Sequence, residues 1–361
     1  MKAAICYEFG NPLVIEDVKI DPPQKGEVKV KVVATAICHS DIHFIKGDWG
    51  GKVPLIAGHE TSGIVEEVGE GVDSIKVGDK VVVSLLRSCG RCRYCIKGLL
   101  YLCEGEFLLD RGTRLHTKDG KDIYQGLWVG GFAEYVVVHQ SQVVKIIEEV
   151  PLDVSALLGC GVITGVGAVL NTAKVEPGKS VAVIGVGGVG LNVIQGAKLV
   201  NAYPIVAMDI LDKKLERSRD FGATHTININ STGNLNKEIK DINSGYGVDY
   251  VFITVGNSES IIKGCEIVDK GGKIIIVGIP KLTTQVALNI LPIVKGEHKF
   301  IGSWVGSTCL KIDVPKLIKL YQRGNLKLDE LITHRYSLSQ INDAIKEVEE
   351  GDIIRNLIVL N

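Results

Sequence analysis

Four cysteines crowd one stretch of the chain. Cys89, Cys92, Cys95 and Cys103 read C-x2-C-x2-C-x7-C. Four soft thiolates so close together can close a tetrahedron around zinc, and four protein ligands leave no open position, so such a site is structural. Iron–sulfur ligation is the competing reading, but the spacing matches no common ferredoxin pattern, and zinc is favoured. A second set is dispersed: Cys38-His39-Ser40-Asp41, Gly58-His59-Glu60 and Gly159-Cys160-Gly161. Singly, each has an ordinary explanation as core or hydrogen-bonded filler. Together, Cys38, His59 and Cys160 could hold a zinc ion with its fourth position left for water or substrate.

A third signal is Gly185-Val186-Gly187-Gly188-Val189-Gly190, a G-x-G-x-x-G run. Alone it is weak. Here it follows the apolar strand KSVAVIG and opens the helix VGLNVIQGAKLV, the context that a dinucleotide pyrophosphate needs. Gly185 allows the tight turn, Gly187 the close approach of the backbone to phosphate, and Gly190 the packing of helix on strand. Asp209 lies 19 residues after Gly190, at the end of the next strand. A carboxylate there accepts hydrogen bonds from a ribose and repels a 2′-phosphate, so NAD is expected over NADP. Lys214 is a further candidate for the ribose.

The elements that must position these residues fall into two kinds. EVKVKVVATAIC (27–38), SGIVEEVGEGV (62–72), DKVVVSLL (79–86) and FAEYVVVHQSQVVKI (132–146) are β-branched strands broken by turns. Residues 87–131 have little periodicity. From Pro151 the pattern changes: a helix over 151–173, then strands at 179–185, 205–209, 248–256 and 271–279 alternating with helices. Continuous apolar strands between helices predict a parallel sheet covered on both faces. RNLIVLN at the end is a short strand that could rejoin the first domain.

At 361 residues the chain is too long for one ordinary core, so two domains are expected. A net charge of -1 excludes a broadly basic nucleic-acid binder. Nine cysteines, an odd number, cannot all pair in disulfides. The start MKAAICYEFG lacks a signal-peptide core. The most membrane-like stretch, 154–170, is rich in small residues and reads as a packed helix. A cytoplasmic protein with no membrane or nucleic-acid partner is expected, its cysteines binding metal or staying as thiols.

In this order, CHSDIH, GHE, the four-cysteine loop, GCGVITG, GVGGVG, the Asp209 strand end and the tail LITHRYSL…IIRNLIVL resemble the zinc-dependent alcohol dehydrogenases of the medium-chain dehydrogenase/reductase family over essentially the whole chain. The resemblance implies an α/β protein: a GroES-like β-rich catalytic domain, residues 1–161 and 306–361, interrupted by an NAD-binding Rossmann domain, a doubly wound parallel sheet at 162–305. It implies two zinc ions per chain, catalytic on Cys38, His59 and Cys160 and structural on the cysteine loop. NAD accepts hydride from a small alcohol, and the assembly is a homodimer or homotetramer.

The same resemblance implies residue roles. Ser40 takes the substrate proton, which the nicotinamide ribose relays to His43. Asp41 orients His59. Glu60 assists metal exchange or simply pairs with Arg355. His39, where many relatives carry arginine, and Arg355 face the pyrophosphate; Gly188 completes the phosphate loop; Thr164 and Val189 touch the nicotinamide. Trp49, Leu85, Leu127 and Trp128 line the substrate pocket. Leu85 stands where relatives commonly carry a bulky aromatic, so a wider pocket taking medium-chain or aromatic alcohols is expected. Glutathione-dependent formaldehyde dehydrogenases use an arginine four residues after the last loop cysteine; here that residue is Phe107, which disfavours their substrate. Arg111 and Arg114 lie nearby and read first as charged surface loop residues; they could instead hold a carboxylate, as in a semialdehyde, making an aldehyde or semialdehyde reductase the alternative. A zinc-binding sensor without catalysis should lack Ser40, His43 or a ligand, and none is missing.

Overall fold

The computed structural model describes residues 1–146 and 149–360. It divides into two compact units, Met1–Gly161 with Cys309–Asn361, and Val162–Thr308. The second boundary falls three residues beyond the expected 306. The reason is local: the Asn171 amide donates to the Gly306 carbonyl, and the Thr308 hydroxyl donates to the Ile163 carbonyl. Residues 306–308 are thus fastened to the second unit.

The first unit is built on a seven-stranded sheet. Strand Glu27–Ala36 is its centre. It pairs antiparallel with Glu60–Val68 on one side, and with Tyr135–His139 and the C-terminal strand Arg355–Val359 on the other. Alternation of buried and half-buried residues along Glu27–Ala36 marks its pleat. The register is what matters for chemistry. Ala36 faces Glu60 and Leu357, so the end of one strand and the starts of two others meet at one place. Cys38, His59 and Arg355 are carried by those three ends. The C-terminal strand therefore joins the first unit, and its burial secures the ends of a discontinuous domain.

The second unit is a parallel six-stranded sheet in the order His225–Asn228, Ile205–Asp209, Val181–Ile184, Val248–Ile253, Val268–Ile276, Lys299–Gly302. This is the doubly wound Rossmann order. Its core packs Ala182, Ile184, Met208, Val251, Ile253 and Ile274, all essentially inaccessible. Burying each large aliphatic side chain contributes about 1.5–3 kcal/mol. Val181–Ile184 lies between Ile205–Asp209 and Val248–Ile253, and its C-terminal end is where the strand order reverses. Ligands bind at such switch points.

Among the described residues no single helix is long and apolar enough to cross a membrane. The apolar stretch at 152–173 is two helical pieces bent by 53° at Cys160.

Candidate active site

Cys38 ends the central strand's excursion and is the N-cap of helix His39–Ile45. Asp41, three residues on, accepts the Cys38 backbone N–H at 3.0 Å through Oδ2. Its other oxygen accepts the Gly58 backbone N–H at 2.9 Å and His59 Nδ1 at 2.8 Å. Asp41 is fully buried. A carboxylate only accepts, so Nδ1 of His59 carries the proton and Nε2 is left with its lone pair. That Nε2 is buried and has no hydrogen-bond partner among the described residues. A buried polar atom without a partner costs about 1–3 kcal/mol. A cation at Nε2 removes the cost.

The sulfurs that complete the set come from Cys38 and Cys160. Cys160 sits at the helix break, with φ −151° and ψ −66°, between a helical turn ending at Gly159 and helix Gly161–Gly167. A continuous helix was expected here. The break follows from close packing on both sides of the cysteine. A Cβ at position 159 would lie 2.7 Å from the Val83 carbonyl oxygen, and one at 161 would lie 2.7 Å from the Arg355 guanidinium. Only glycines let the chain pass between the two, and the passage brings Cys160 to His59. Ligand atoms of Cys38, His59, Glu60 and Cys160 lie within 4.8 Å of one another, all four residues buried.

The charges favour a cation. The hydrogen bond with Cys160, followed by the neighbouring His59 and the field of Arg355, holds the Cys38 thiol well below the ordinary range despite burial. When both sulfurs are thiolates, as ligation requires, they and Asp41 place three buried anions against the single guanidinium of Arg355. A divalent ion balances that excess, and a low-dielectric interior would not hold it otherwise. Glu60 is 3.6 Å from Arg355, with no hydrogen bond to either oxygen. Burial pushes its carboxyl up to about 8, Arg355 pulling the other way. The residues therefore fit a zinc ion with one open position.

The four-cysteine set is also assembled. The sulfurs of Cys89, Cys92, Cys95 and Cys103 lie within 4.8 Å of one another. Backbone N–H groups of Cys92, Cys95 and Gly105 point at the sulfurs of Cys89, Cys92 and Cys103 at 3.3–3.5 Å. Such bonds stabilise thiolates, and that from Cys95, ahead of one from Glu104, draws Cys92 down to about 6. Two short helical pieces, Arg93–Ile96 and Leu100–Leu102, are all the regular structure in this loop, so a metal is needed to fix it.

Helix His39–Ile45 carries His39 exposed, Ser40 half-buried and His43 half-buried. His43 Nδ1 bonds Asp48 Oδ2 at 2.7 Å, and its ring stacks on Trp49 at 5.2 Å. Asp48 was missed in the sequence; it follows His43 by five residues across a helix end, and nothing in its spacing singles it out. Leu85 is buried. Leu127 and Trp128 form a turn with φ of 49° and 59°, left-handed values that cost such residues about 1–3 kcal/mol each. Arg114 is not available to a substrate. It is buried, and its guanidinium is spent on Glu27 at 2.8 and 2.9 Å and on Gln24 at 2.9 Å. Arg111 is exposed and pairs with Glu106.

In the second unit, Gly187 caps helix Gly188–Leu199, and no atom lies within 4 Å of where its Cβ would be. This is open space at a helix N-terminus, suited to a pyrophosphate. Gly185 turns at φ 88°. Asp209 is not a helix cap. It accepts the Val186 N–H at 2.8 Å and those of Ile210 and Leu211 at 2.8 and 3.2 Å. It thus ties the glycine loop to the next strand and keeps acceptor capacity for ribose hydroxyls. Val189 and Lys214 are half-buried, and Thr164 is buried in helix Gly161–Gly167.

A β-rich unit with a dispersed Cys-His-Cys set, interrupted by a Rossmann unit, defines the medium-chain dehydrogenase/reductase class. Residues 24–148 match the alcohol dehydrogenase GroES-like domain and residues 188–323 the zinc-binding dehydrogenase domain. An alcohol dehydrogenase class-3 of Zea mays is 40% identical over 370 residues, covering 99% of this chain and 96% of that protein. An S-(hydroxymethyl)glutathione dehydrogenase of Komagataella pastoris is 38% identical, covering 100% and 97%. Among solved structures, the benzyl alcohol dehydrogenase of Acinetobacter calcoaceticus superposes with a TM-score of 0.92 at 32% identity, covering 100% and 99%. The chain belongs to the zinc-type alcohol dehydrogenase family, NAD-dependent oxidoreductases with a zinc requirement.

Proposed function

We propose that this protein oxidises neutral medium-chain or aromatic alcohols with NAD and reduces the matching aldehydes or ketones. The observation that carries the reading is the buried, unpartnered Nε2 of His59 between two cysteine sulfurs. When bound, zinc supplies a Lewis acid that lowers the pKa of an alcohol hydroxyl, and NAD supplies the hydride acceptor. Cys38, His59 and Cys160 hold the metal, with Asp41 fixing the imidazole. Ser40 accepts the hydroxyl proton, and His43 passes it to solvent; Asp48 keeps the His43 proton on Nδ1, leaving Nε2 to receive. Glu60 and Arg355 balance charge beside the ligands. Gly185, Gly187, Gly188, Gly190 and His39 hold pyrophosphate, Asp209 and Lys214 the adenosine ribose, and Thr164 and Val189 the nicotinamide. Asp209 sets NAD above NADP.

Trp49, Leu85, Leu127 and Trp128 shape an apolar pocket. A second reading comes from the relatives that act on S-(hydroxymethyl)glutathione. Phe107, the buried pairing of Arg114 and the Glu106 pairing of Arg111 argue against an anionic conjugate, and equally against a semialdehyde carboxylate. A panel of alcohols with NAD separates the readings. The expected kcat/KM for benzyl alcohol exceeds that for ethanol and for S-(hydroxymethyl)glutathione by about tenfold or more, the scale of apolar discrimination. Comparable values for benzyl alcohol and ethanol contradict the pocket assignment, and a preference for the conjugate supports the second reading.

Nine cysteines with no disulfide among them suit a reducing compartment, and we place the enzyme in the cytosol. We also propose that it is a homo-oligomer. Ile290, Leu291 and Val294 are each more than half exposed on one short helix, which precedes the edge strand Lys299–Gly302. An exposed apolar helix face and a sheet edge are features of a self-association surface. Light scattering is expected to give the mass of two or four chains; a monomer at micromolar concentration contradicts it.

A further inference from the structure

Arg87 lies two residues after Leu85 and two before Cys89. Its guanidinium carbon is 4.8 Å from the ring centroid of Trp128 and 4.5 Å from that of Phe107. Its Nη1 donates to Asp110 Oδ1 at 2.7 Å, and the side chain is 12% exposed. Asp110 in turn accepts the Phe107 backbone N–H at 2.9 Å, so the carboxylate fixes both the guanidinium and the segment that carries one of its rings. Trp128, by contrast, is 42% exposed and sits in a left-handed turn that its residue type does not favour. Such a conformation persists only where its surroundings impose it. Two restraints do so here: the Gln142 amide donates to the Trp128 carbonyl at 3.0 Å, and Arg87 lies against the indole. The first fixes the backbone. The second lies against the ring.

We propose that Arg87 is a specificity-determining positioning residue: held by Asp110 beside the cysteine loop, it fixes the Trp128 indole as a wall of the alcohol pocket. The inference rests on the pocket reading above. A planar guanidinium can lie on aromatic rings while keeping its in-plane bond to a carboxylate; an ammonium cannot do both. Arg87→Lys therefore keeps the charge and loses the placement.

The test uses the zinc-loaded enzyme with NAD, and compares Arg87→Ala, Arg87→Lys, Trp128→Ala and the Arg87→Ala/Trp128→Ala double variant on benzyl alcohol and ethanol. Arg87→Ala is expected to raise KM for benzyl alcohol about tenfold, with kcat for ethanol within about twofold of wild type. Arg87→Lys should reproduce most of that rise, and the double variant should be no worse than Trp128→Ala alone. Zinc should remain at two ions per chain. Effects that multiply in the double variant, or an equal fall of kcat on both substrates with loss of one zinc, overturn the proposal in favour of a role confined to the cysteine loop. An unchanged KM in Trp128→Ala, in an enzyme that oxidises both alcohols, overturns it too. Fluorescence reads the placement without turnover. In a Trp49→Phe/Trp304→Phe background, where Trp128 is the sole reporter, Arg87→Lys should increase acrylamide quenching; unchanged quenching overturns the proposal. Absence of alcohol turnover by wild type contradicts the proposed function instead and leaves the quenching result to decide whether Arg87 places the indole.

Discussion

Replacing His59 by alanine is expected to lower kcat/KM for alcohol oxidation by about a thousandfold or more while one zinc ion stays with each chain. Lewis-acid stabilisation by a bound metal amounts to several kcal/mol, and each 1.36 kcal/mol is a factor of ten in rate, so about three decades follow from its loss. The substitution removes the only neutral ligand of the set. Cys38 and Cys160 alone supply two protein ligands, and Glu60, whose carboxyl burial pushes up to about 8, is a poor replacement for the imidazole near neutral pH. The cysteine loop shares no residue with this site, so its ion should remain. Metal analysis and kcat/KM measured on the same preparation check both halves. Loss of both ions would show that the variant failed to fold rather than that the ligand was lost. Retention of two ions with near-normal activity would contradict the assignment of His59.

Gly190→Ala is expected to weaken NAD binding by about tenfold or more and to lower stability by about 1–3 kcal/mol, as overpacking does. The added Cβ would stand 2.0 Å from the Gly185 carbonyl oxygen and 3.2 Å from the Thr254 hydroxyl. That carbonyl cannot step aside. It accepts the Thr254 hydroxyl at 2.5 Å, and the Gly185 N–H is anchored on the Met208 carbonyl at 2.8 Å. The turn must therefore shift as a whole, carrying with it the Val186 N–H that Asp209 holds. Calorimetric titration with NAD and thermal unfolding are the measurements, and zinc content should stay at two. Wild-type affinity for NAD would show that the turn absorbs the methyl group, against the account of Gly190.

Much of this was legible in the sequence because it is local. The Rossmann strands announce themselves as apolar runs, the glycine fingerprint needs only its own backbone, and the four cysteines lie within one loop. The dispersed site was legible only as a resemblance, since Cys38, His59 and Cys160 meet through strand register. Ala36 opposite Glu60 brings the first two together, and that pairing is invisible in composition. The break at Cys160 was not foreseen, because a small-residue apolar run reads as a helix until Val83 and Arg355 press on either side of it. Asp48 and Arg87 went unremarked for the same reason: each matters through one tertiary contact. Arg114 shows the opposite error. A basic residue in an irregular loop reads as a charged surface residue, open at most to a carboxylate, whereas folding buries it on Glu27, 87 positions away.

The proposed function requires zinc on Cys38, His59 and Cys160 for alcohol oxidation by NAD. The direct measurement is NADH formation from benzyl alcohol as zinc is returned to chelator-treated protein, with bound metal counted at each step. Turnover is expected to appear only as the second ion per chain is restored and to rise in proportion to it. Full turnover at one zinc per chain or fewer, or two bound zinc ions with no NADH formed across the alcohol panel, would contradict it.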